Sequence, residues 1–105
     1  MDNRINKIVK DYIQVLLNMQ INIEKIYLFG SYAKNISSTD SDIDIAVIYN
    51  STEINDRFDF QVQLLTIASD IDTRIEPHPI PINDFNINNP FAYEIMKTGI
   101  ELKLK

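Results

Sequence analysis

Residues 29–34, Phe-Gly-Ser-Tyr-Ala-Lys, and residues 41–47, Ser-Asp-Ile-Asp-Ile-Ala-Val, form the stretch that decides the fold. An apolar strand runs into the Gly-Ser pair, and after a spacer of ten residues an Asp-x-Asp pair, Asp42 and Asp44, opens a second apolar strand. Because strand side chains alternate between faces, the two carboxylates lie side by side on one face. The Gly-Ser and Asp-x-Asp pairs could therefore serve ligand binding or catalysis as well as the fold.

The remaining sequence predicts helices that alternate with strands. Apolar spacing, turn residues and a helix start at Asn89-Pro90 predict the order α, β, short α, β, α, β, short α, β. The predicted elements cover residues 3–20, 23–29, 31–34, 41–49, 55–71, 72–78, 89–98 and 100–105. The fold class is therefore α+β, a mixed sheet of about four strands packed against helices in two layers.

Two of these elements carry more detailed expectations. The helix over residues 55–71 has two overlapping apolar stripes, one through Phe58, Val62 and Leu65, and so is expected to be broadly buried. The third strand is expected to end where prolines stop regular pairing, followed by an irregular connection over residues 79–88.

Length and composition limit the classes of protein that fit. A chain of 105 residues is expected to form one domain, residues 1–105, and the absence of cysteine excludes disulfides and thiolate metal sites. No apolar run approaches the roughly 18 residues that span a bilayer, and the polar start indicates no signal peptide. We therefore expect a soluble, cytoplasmic protein with no membrane partner.

The net charge of −5 bears on the possible ligands. Proteins that bind long nucleic acids usually carry a basic patch, whereas the ten Lys and Arg residues here are scattered. No long nucleic acid is expected. A nucleotide that arrives with Mg²⁺ is compatible with an acidic protein, because the metal reverses the local charge.

The Asp-x-Asp pair predicts a cation site. Two adjacent carboxylates repel each other without a cation, and with Mg²⁺ they become hard oxygen ligands that leave room for phosphate oxygens. A site for phosphoryl transfer usually needs a third carboxylate, and Glu76 or Asp72 on the third strand would provide it. Asp42 and Asp44, with either Glu76 or Asp72 as the third carboxylate, are therefore the candidate metal and catalytic residues.

The Gly-Ser turn predicts a phosphate site beside the carboxylates. Glycine lets the backbone turn sharply and lets a ligand approach closely. Backbone N–H groups after Gly30 and the Ser31 hydroxyl would hold the phosphates of a nucleoside triphosphate, and Lys34 would add a positive charge.

Simpler interpretations remain for each part. Asp-x-Asp beside serines is common in turns and helix caps, and only the combination with Gly-Ser is distinctive. His78 either contacts the acceptor or acts as a base, or it is a strand-end histidine with no such role. Arg74 pairs with Asp72 or Glu76, or else it binds a phosphate.

The motif resembles the signature of the nucleotidyltransferases related to DNA polymerase beta. The short length and element order are similar to its minimal nucleotidyltransferase (MNT) branch, over about residues 23–105. The resemblance implies that Gly30 and Ser31 bind triphosphate and that Asp42, Asp44 and a third acidic residue, best matched by Glu76, bind Mg²⁺. Lys34 departs from the pattern, since the family usually has an arginine there, and lysine lacks its guanidinium fork.

The resemblance also implies an activity and a partner. The expected activity is Mg²⁺-dependent transfer of AMP from ATP to a hydroxyl, with the acceptor on a partner protein. Members of this branch often neutralise a HEPN-domain ribonuclease toxin, which implies an antitoxin role. The alternatives are a catalytically weak, nucleotidyltransferase-like antitoxin or regulatory module, and a small-molecule nucleotidyltransferase.

Overall fold

A computed structural model of the protein describes residues 3–19, 22–34, 36, 41–50 and 56–104. Over these residues the chain forms three α-helices and four strands. They are α1 (Asn3–Leu17), β1 (Ile23–Phe29), β2 (Ile43–Tyr49), α2 (Arg57–Ile71), β3 (Ile75–Pro81), α3 (Pro90–Thr98) and β4 (Ile100–Leu102). The four strands form one sheet, so the predicted α+β class is confirmed.

The sheet places the motif at its centre. The strand order is β3-β2-β1-β4, with β1 antiparallel to both β2 and β4, and β2 parallel to β3. Because two parallel neighbours need a crossover connection, α2 returns the chain from the end of β2 to the start of β3. The two strands that carry the Gly-Ser and Asp-x-Asp residues are therefore the inner ones, and β3 and β4 form the edges.

Each face of the sheet is covered by helices. One face packs against α1 and α2, and the other against α3 and Phe85. Strand alternation divides β2 accordingly, because Ile43, Ile45 and Val47 join the first cluster while Ala46 and Ile48 join the second. The Tyr12 hydroxyl of α1 donates a hydrogen bond of 2.9 Å to the Leu64 carbonyl of α2, which ties the two helices together.

The prediction for the third strand was wrong in its bounds and in the role of its prolines. The strand begins at Ile75 rather than residue 72, and Pro77, Pro79 and Pro81 all lie opposite β2 residues. Backbone N–H groups of a strand alternate between its two sides, and β3 is an edge strand. Prolines at every second position therefore leave the donors that face β2 intact. The irregular connection begins only after Pro81, with a 3₁₀ turn at Ile82–Asp84.

The exposed side of α2 is more apolar than predicted. Phe60, Leu64 and Ala68 are buried as expected of a helix on the sheet. In contrast, Phe58, Val62 and Leu65 are 74%, 45% and 51% exposed, so the expectation of broad burial was wrong. Their spacing of four and three residues places them on one side of the helix, away from the sheet. This set is called the α2 stripe below.

The ends of the other elements deviate less. Residues 31–34 form turns rather than the predicted short helix, and β4 stops at Leu102. The Asn89 side chain accepts hydrogen bonds from the N–H groups of Phe91 and Ala92, and Gly99 follows the last helical residue, as the sequence indicated. Residue 105 and most of the predicted loop before Ser41 lie outside the described residues.

Within the described part of the chain, each helix is too short to cross a bilayer.

Candidate active site

Three predicted carboxylates meet where β2 begins. The strand registers pair Asp44 with Phe29 of β1 on one side and with Glu76 of β3 on the other. Asp42 lies just before β2, and its carboxyl shares a hydrogen bond with that of Glu76. The structure therefore brings Glu76 next to both aspartates, although β2 and β3 are separated by a whole helix in sequence.

The carboxylates are crowded enough to affect ionisation. The pKa of Glu76 is raised, first by the hydrogen bond with Asp42, then by partial removal from water and by the negative charge of Asp44. The nearby imidazole of His78 acts in the opposite direction. A carboxyl that resists ionisation beside other carboxylates is stabilised in its charged form by a nearby positive charge, so this group of residues suits a cation.

His78, which the sequence left without a definite role, lies beside Asp44 and Glu76. Its Nε2 lies 3.2 Å from Asp44 Oδ1, and its ring packs edge-on against Phe29 with centroids 5.0 Å apart. One ligand atom each from Asp44, Glu76 and His78 lie within 4.8 Å of one another. The available signal was the Glu76-x-His78 spacing, which repeats the Asp-x-Asp spacing on the neighbouring parallel strand.

Gly30 fits closely against Asp44. Its φ of +75° lies in the left-handed region that side chains disfavour. A Cβ built at this position would also collide with Asp44 Oδ2. Both observations require glycine here, and they make the turn after β1 a direct neighbour of the carboxylates. The turn is closed by hydrogen bonds from Lys34 N–H to the Gly30 carbonyl and from Ile36 N–H to the Ser31 carbonyl.

The Lys34 side chain contacts α3. Its Nζ lies 3.5 Å from Glu94 Oε1, and the two side chains are 44% and 55% exposed. Ion pairs this exposed contribute little to stability and rearrange readily. The ammonium group therefore lies beside the turn, in contact with Glu94.

Asp72, the other candidate for the third carboxylate, has a different place. It caps the C-terminus of α2, and its Oδ2 lies 2.9 Å from Arg74 Nη2. The hydrogen bond from Arg74 is the main reason that the pKa of Asp72 is lowered. Arg74 also interacts with the Tyr32 hydroxyl on the turn after β1. Asp72 thus pairs with Arg74, and Glu76 alone of the two joins Asp42 and Asp44.

Two depressions open on the β3 side of the carboxylates. One, of about 350 Å³, is lined by Asp42, Glu76 and His78 together with Gln61 and Leu65 of α2. The other, of about 390 Å³, shares Gln61 and His78 and extends toward the start of α3. The carboxylates are thus flanked by the Gly30 turn on the β1 side and by open, mixed polar and apolar surface on the β3 side.

Solved structures with the same fold include one provisionally described as a nucleotidyltransferase and several toxin–antitoxin structures. A protein from Sulfolobus solfataricus, provisionally described as a nucleotidyltransferase, is 19% identical and has a TM-score of 0.68 over 93% of this chain and 78% of its own. A toxin–antitoxin structure with AMP-PNP is 26% identical and has a TM-score of 0.64 over 89% and 71% of the two chains. A tyrosine-to-alanine mutant of the toxin–antitoxin MntA-HpeT is 26% identical, with a TM-score of 0.61 over 98% and 73%.

Comparison at the level of sequence gives a family. No protein of curated function matches the chain. The family model "Polymerase beta, Nucleotidyltransferase" matches residues 11–105, which include the Gly-Ser turn, the Asp-x-Asp pair and Glu76. The match spans most of the sequence and agrees with the fold of the solved neighbours. The chain belongs to the polymerase beta nucleotidyltransferase family.

Proposed function

We propose that the protein is a Mg²⁺-dependent nucleotidyltransferase that moves AMP from ATP to a hydroxyl group on a partner protein. The observation that carries the proposal is the convergence of Asp42, Asp44 and Glu76 beside the glycine turn. Family membership supports the class of reaction. The choice of AMP, of Mg²⁺ and of a protein acceptor is the proposal itself.

The donor set fits divalent cations. Asp42, Asp44 and Glu76 supply carboxylate oxygens, the ligands that Mg²⁺ prefers. The raised pKa of Glu76 marks a carboxyl that gains from a nearby positive charge. Bound at these residues, Mg²⁺ would neutralise phosphate charge and stabilise the attacking and leaving oxygens.

The two sides of the carboxylates suggest separate routes for the two substrates. The Gly30 turn and the Ser31 hydroxyl would hold the triphosphate on the β1 side, where close backbone approach is possible. The acceptor hydroxyl would then enter from the β3 depressions, next to Glu76. Glu76 would take up the proton that the hydroxyl loses as it attacks the α-phosphorus, with pyrophosphate as the leaving group.

The α2 stripe supports a protein as acceptor. Leu65 belongs to the stripe and also lines the depression that contains Asp42 and Glu76. A partner that packs on exposed apolar side chains here would bring its own side chains next to the carboxylates. Toxin–antitoxin structures are among the solved neighbours, and we propose a HEPN-type toxin as the partner.

Calorimetry provides the direct test. We expect Mg-ATP to bind the wild-type protein in a metal-dependent manner, and the Asp42→Asn/Asp44→Asn variant to lose this binding. The matched control is Asp11→Asn/Asp70→Asn, which removes the same charge from exposed helix positions and should bind as wild type does. If no Mg-triphosphate binds the wild-type protein, the enzymatic proposal for this chain fails.

A second candidate is an antitoxin that blocks its partner by contact alone. It is favoured by Lys34, which replaces the family's usual arginine and contacts Glu94. Radiolabelled ATP with the co-purified partner separates the two candidates. Label on the partner supports the transferase, whereas a stoichiometric complex that never acquires label supports the contact antitoxin.

A further inference from the structure

The His78 Nε2 atom lies as far from Asp44 Oδ1 as two ligands of one metal ion lie from each other. Ligands of a six-coordinate ion with bonds of about 2.1 Å lie about 3 Å apart along an edge of the octahedron and about 4.2 Å apart across it. His78 Nε2 and Asp44 Oδ1 are 3.2 Å apart, close to such an edge. With Glu76 the three atoms lie within 4.8 Å of one another, so sub-ångström shifts would bring them onto one ion.

The His78 ring is held in this orientation by its neighbours. Phe29 packs against it edge-on, and Phe91 contacts it with ring centroids 5.8 Å apart. Phe29 and Phe91 also contact each other, so the three rings form a closed cluster. The side chain is 29% exposed, and its Nε2 edge faces Asp44. A ring packed in this way loses little conformational freedom when it binds a ligand.

We infer that His78 is a direct ligand of the cation held by Asp44 and Glu76, so that the site that binds Mg²⁺ in the proposed function gains affinity for first-row transition ions such as Mn²⁺. This inference rests on the proposed function, since it concerns the same cation site. Carboxylates alone suit Mg²⁺, whereas an imidazole nitrogen favours the first-row transition metals. One nitrogen among oxygen ligands would shift selectivity without preventing phosphate binding.

A purely structural role for His78 makes a different prediction. The imidazole would then donate its hydrogen bond to Asp44 and orient that carboxylate, and no nitrogen would contact the metal. Removal of the ring would weaken Mg²⁺ and Mn²⁺ by similar factors. The two roles differ in whether nitrogen is bound to the ion, which spectroscopy measures directly.

The single histidine of the chain makes this experiment unambiguous. Mn²⁺ would be added to the protein with inorganic tripolyphosphate, a probe that contains no nitrogen, and pulsed electron paramagnetic resonance would be recorded. We expect ¹⁴N modulation from a bound imidazole, replaced by the ¹⁵N pattern when the protein is labelled with [¹⁵N]histidine. This readout needs no variant and does not depend on catalysis.

A variant then measures selectivity. His78→Phe removes the nitrogen and keeps a ring of similar shape between Phe29 and Phe91. We expect the Mn²⁺ affinity to fall by about tenfold or more and the Mg²⁺ affinity to fall far less, with a Tm close to wild type. Tyr93→Phe, an exposed ring change on α3, is the control and should alter neither affinity.

The outcomes separate this inference from the function on which it rests. Mn²⁺ that binds with no histidine nitrogen coupling would overturn the inference and leave the nucleotidyltransferase proposal intact. Equal losses of both metals in His78→Phe would likewise assign the ring to positioning Asp44. If neither Mn²⁺ nor Mg²⁺ binds the wild-type protein with tripolyphosphate, the cation site itself is wrong, and both proposals fall together.

Discussion

The surroundings of Asp44 on its β1 side and on its β3 side differ in almost every respect. On the β1 side Gly30 presents bare backbone to the carboxylate, at a distance that admits no side chain. On the β3 side Glu76 and His78 present functional groups to it, next to open depressions. One side therefore depends on the absence of a side chain and the other on the side chains present. Substitutions on the two sides should fail in different ways.

The largest effect is expected for Gly30→Ala on the closed side. The new Cβ meets Asp44 Oδ2, and a φ of +75° is strained for alanine, so the variant should lose about 1–3 kcal/mol of stability. Any relief of the collision displaces Asp44. We therefore expect Mg-ATP binding to weaken by about 100-fold, measured by calorimetry below the Tm of the variant.

Gly99→Ala is the matched control for this prediction. A Cβ there would crowd the backbone carbonyl of Ile95 at the end of α3, while its φ is unremarkable and the carboxylates are not involved. It should lower the Tm yet leave Mg-ATP affinity near that of wild type. Equal loss of affinity in both variants would mean that Gly30 acts through general stability and not through Asp44.

Glu76→Gln on the open side is expected to have an intermediate effect on ligand affinity. Unlike Gly30→Ala, it should stabilise the folded protein. The folded protein raises the pKa of Glu76, so its ionisation opposes folding once the pH rises through that value. The amide should therefore increase the Tm of the metal-free protein at neutral pH, with a difference that shrinks in acid. Mg²⁺ affinity should fall by about tenfold, because an anionic ligand is lost.

Thermal scans across pH, with and without Mg²⁺, measure both parts of this prediction. Asp72→Asn is the informative contrast, because Arg74 lowers the pKa of that carboxyl and its ionisation favours folding. This second variant should lower the Tm at neutral pH, with the difference lost as the pH falls through the pKa of Asp72. A metal-free Glu76→Gln protein with a lower Tm than wild type would contradict the account of carboxylate crowding.

The same contrast explains what the sequence could predict. The closed side could be predicted because its residues form a local sequence pattern. A glycine and a serine end one apolar strand, and the Asp-x-Asp pair opens the next strand a few residues later. The open side depends on β3, whose partner lies across a helix. There the alternating prolines suggested an end to pairing, whereas at an edge they leave the inner donors in place.

Because of that error, the sequence left Asp72 open as an alternative to Glu76 and allowed His78 to be a strand-end residue without a role. A strand drawn over residues 72–78 puts Asp72 on the face of Glu76, but the actual start at Ile75 leaves Asp72 as a helix cap paired with Arg74. The parallel register, which no local pattern gives, is what aligns Glu76 with Asp44 and places His78 beside it. Likewise, the apolar α2 stripe predicted burial because periodicity does not distinguish a buried apolar face from an exposed one.

The smallest effect is expected for Glu94→Gln, which tests how Lys34 serves the closed side. The Lys34 ammonium contacts Glu94, and a triphosphate held by the Gly30 turn would compete with that carboxylate for it. Removal of the competing charge should strengthen ATP binding by about twofold, since exposed ion pairs contribute only about 0.2–1 kcal/mol. Lys34→Gln should weaken binding by a few-fold, and the double variant should resemble Lys34→Gln alone. A gain in affinity from Glu94→Gln that persists without the lysine would show that Glu94 acts by general repulsion of ATP, and Lys34 would then have no part in the phosphate site.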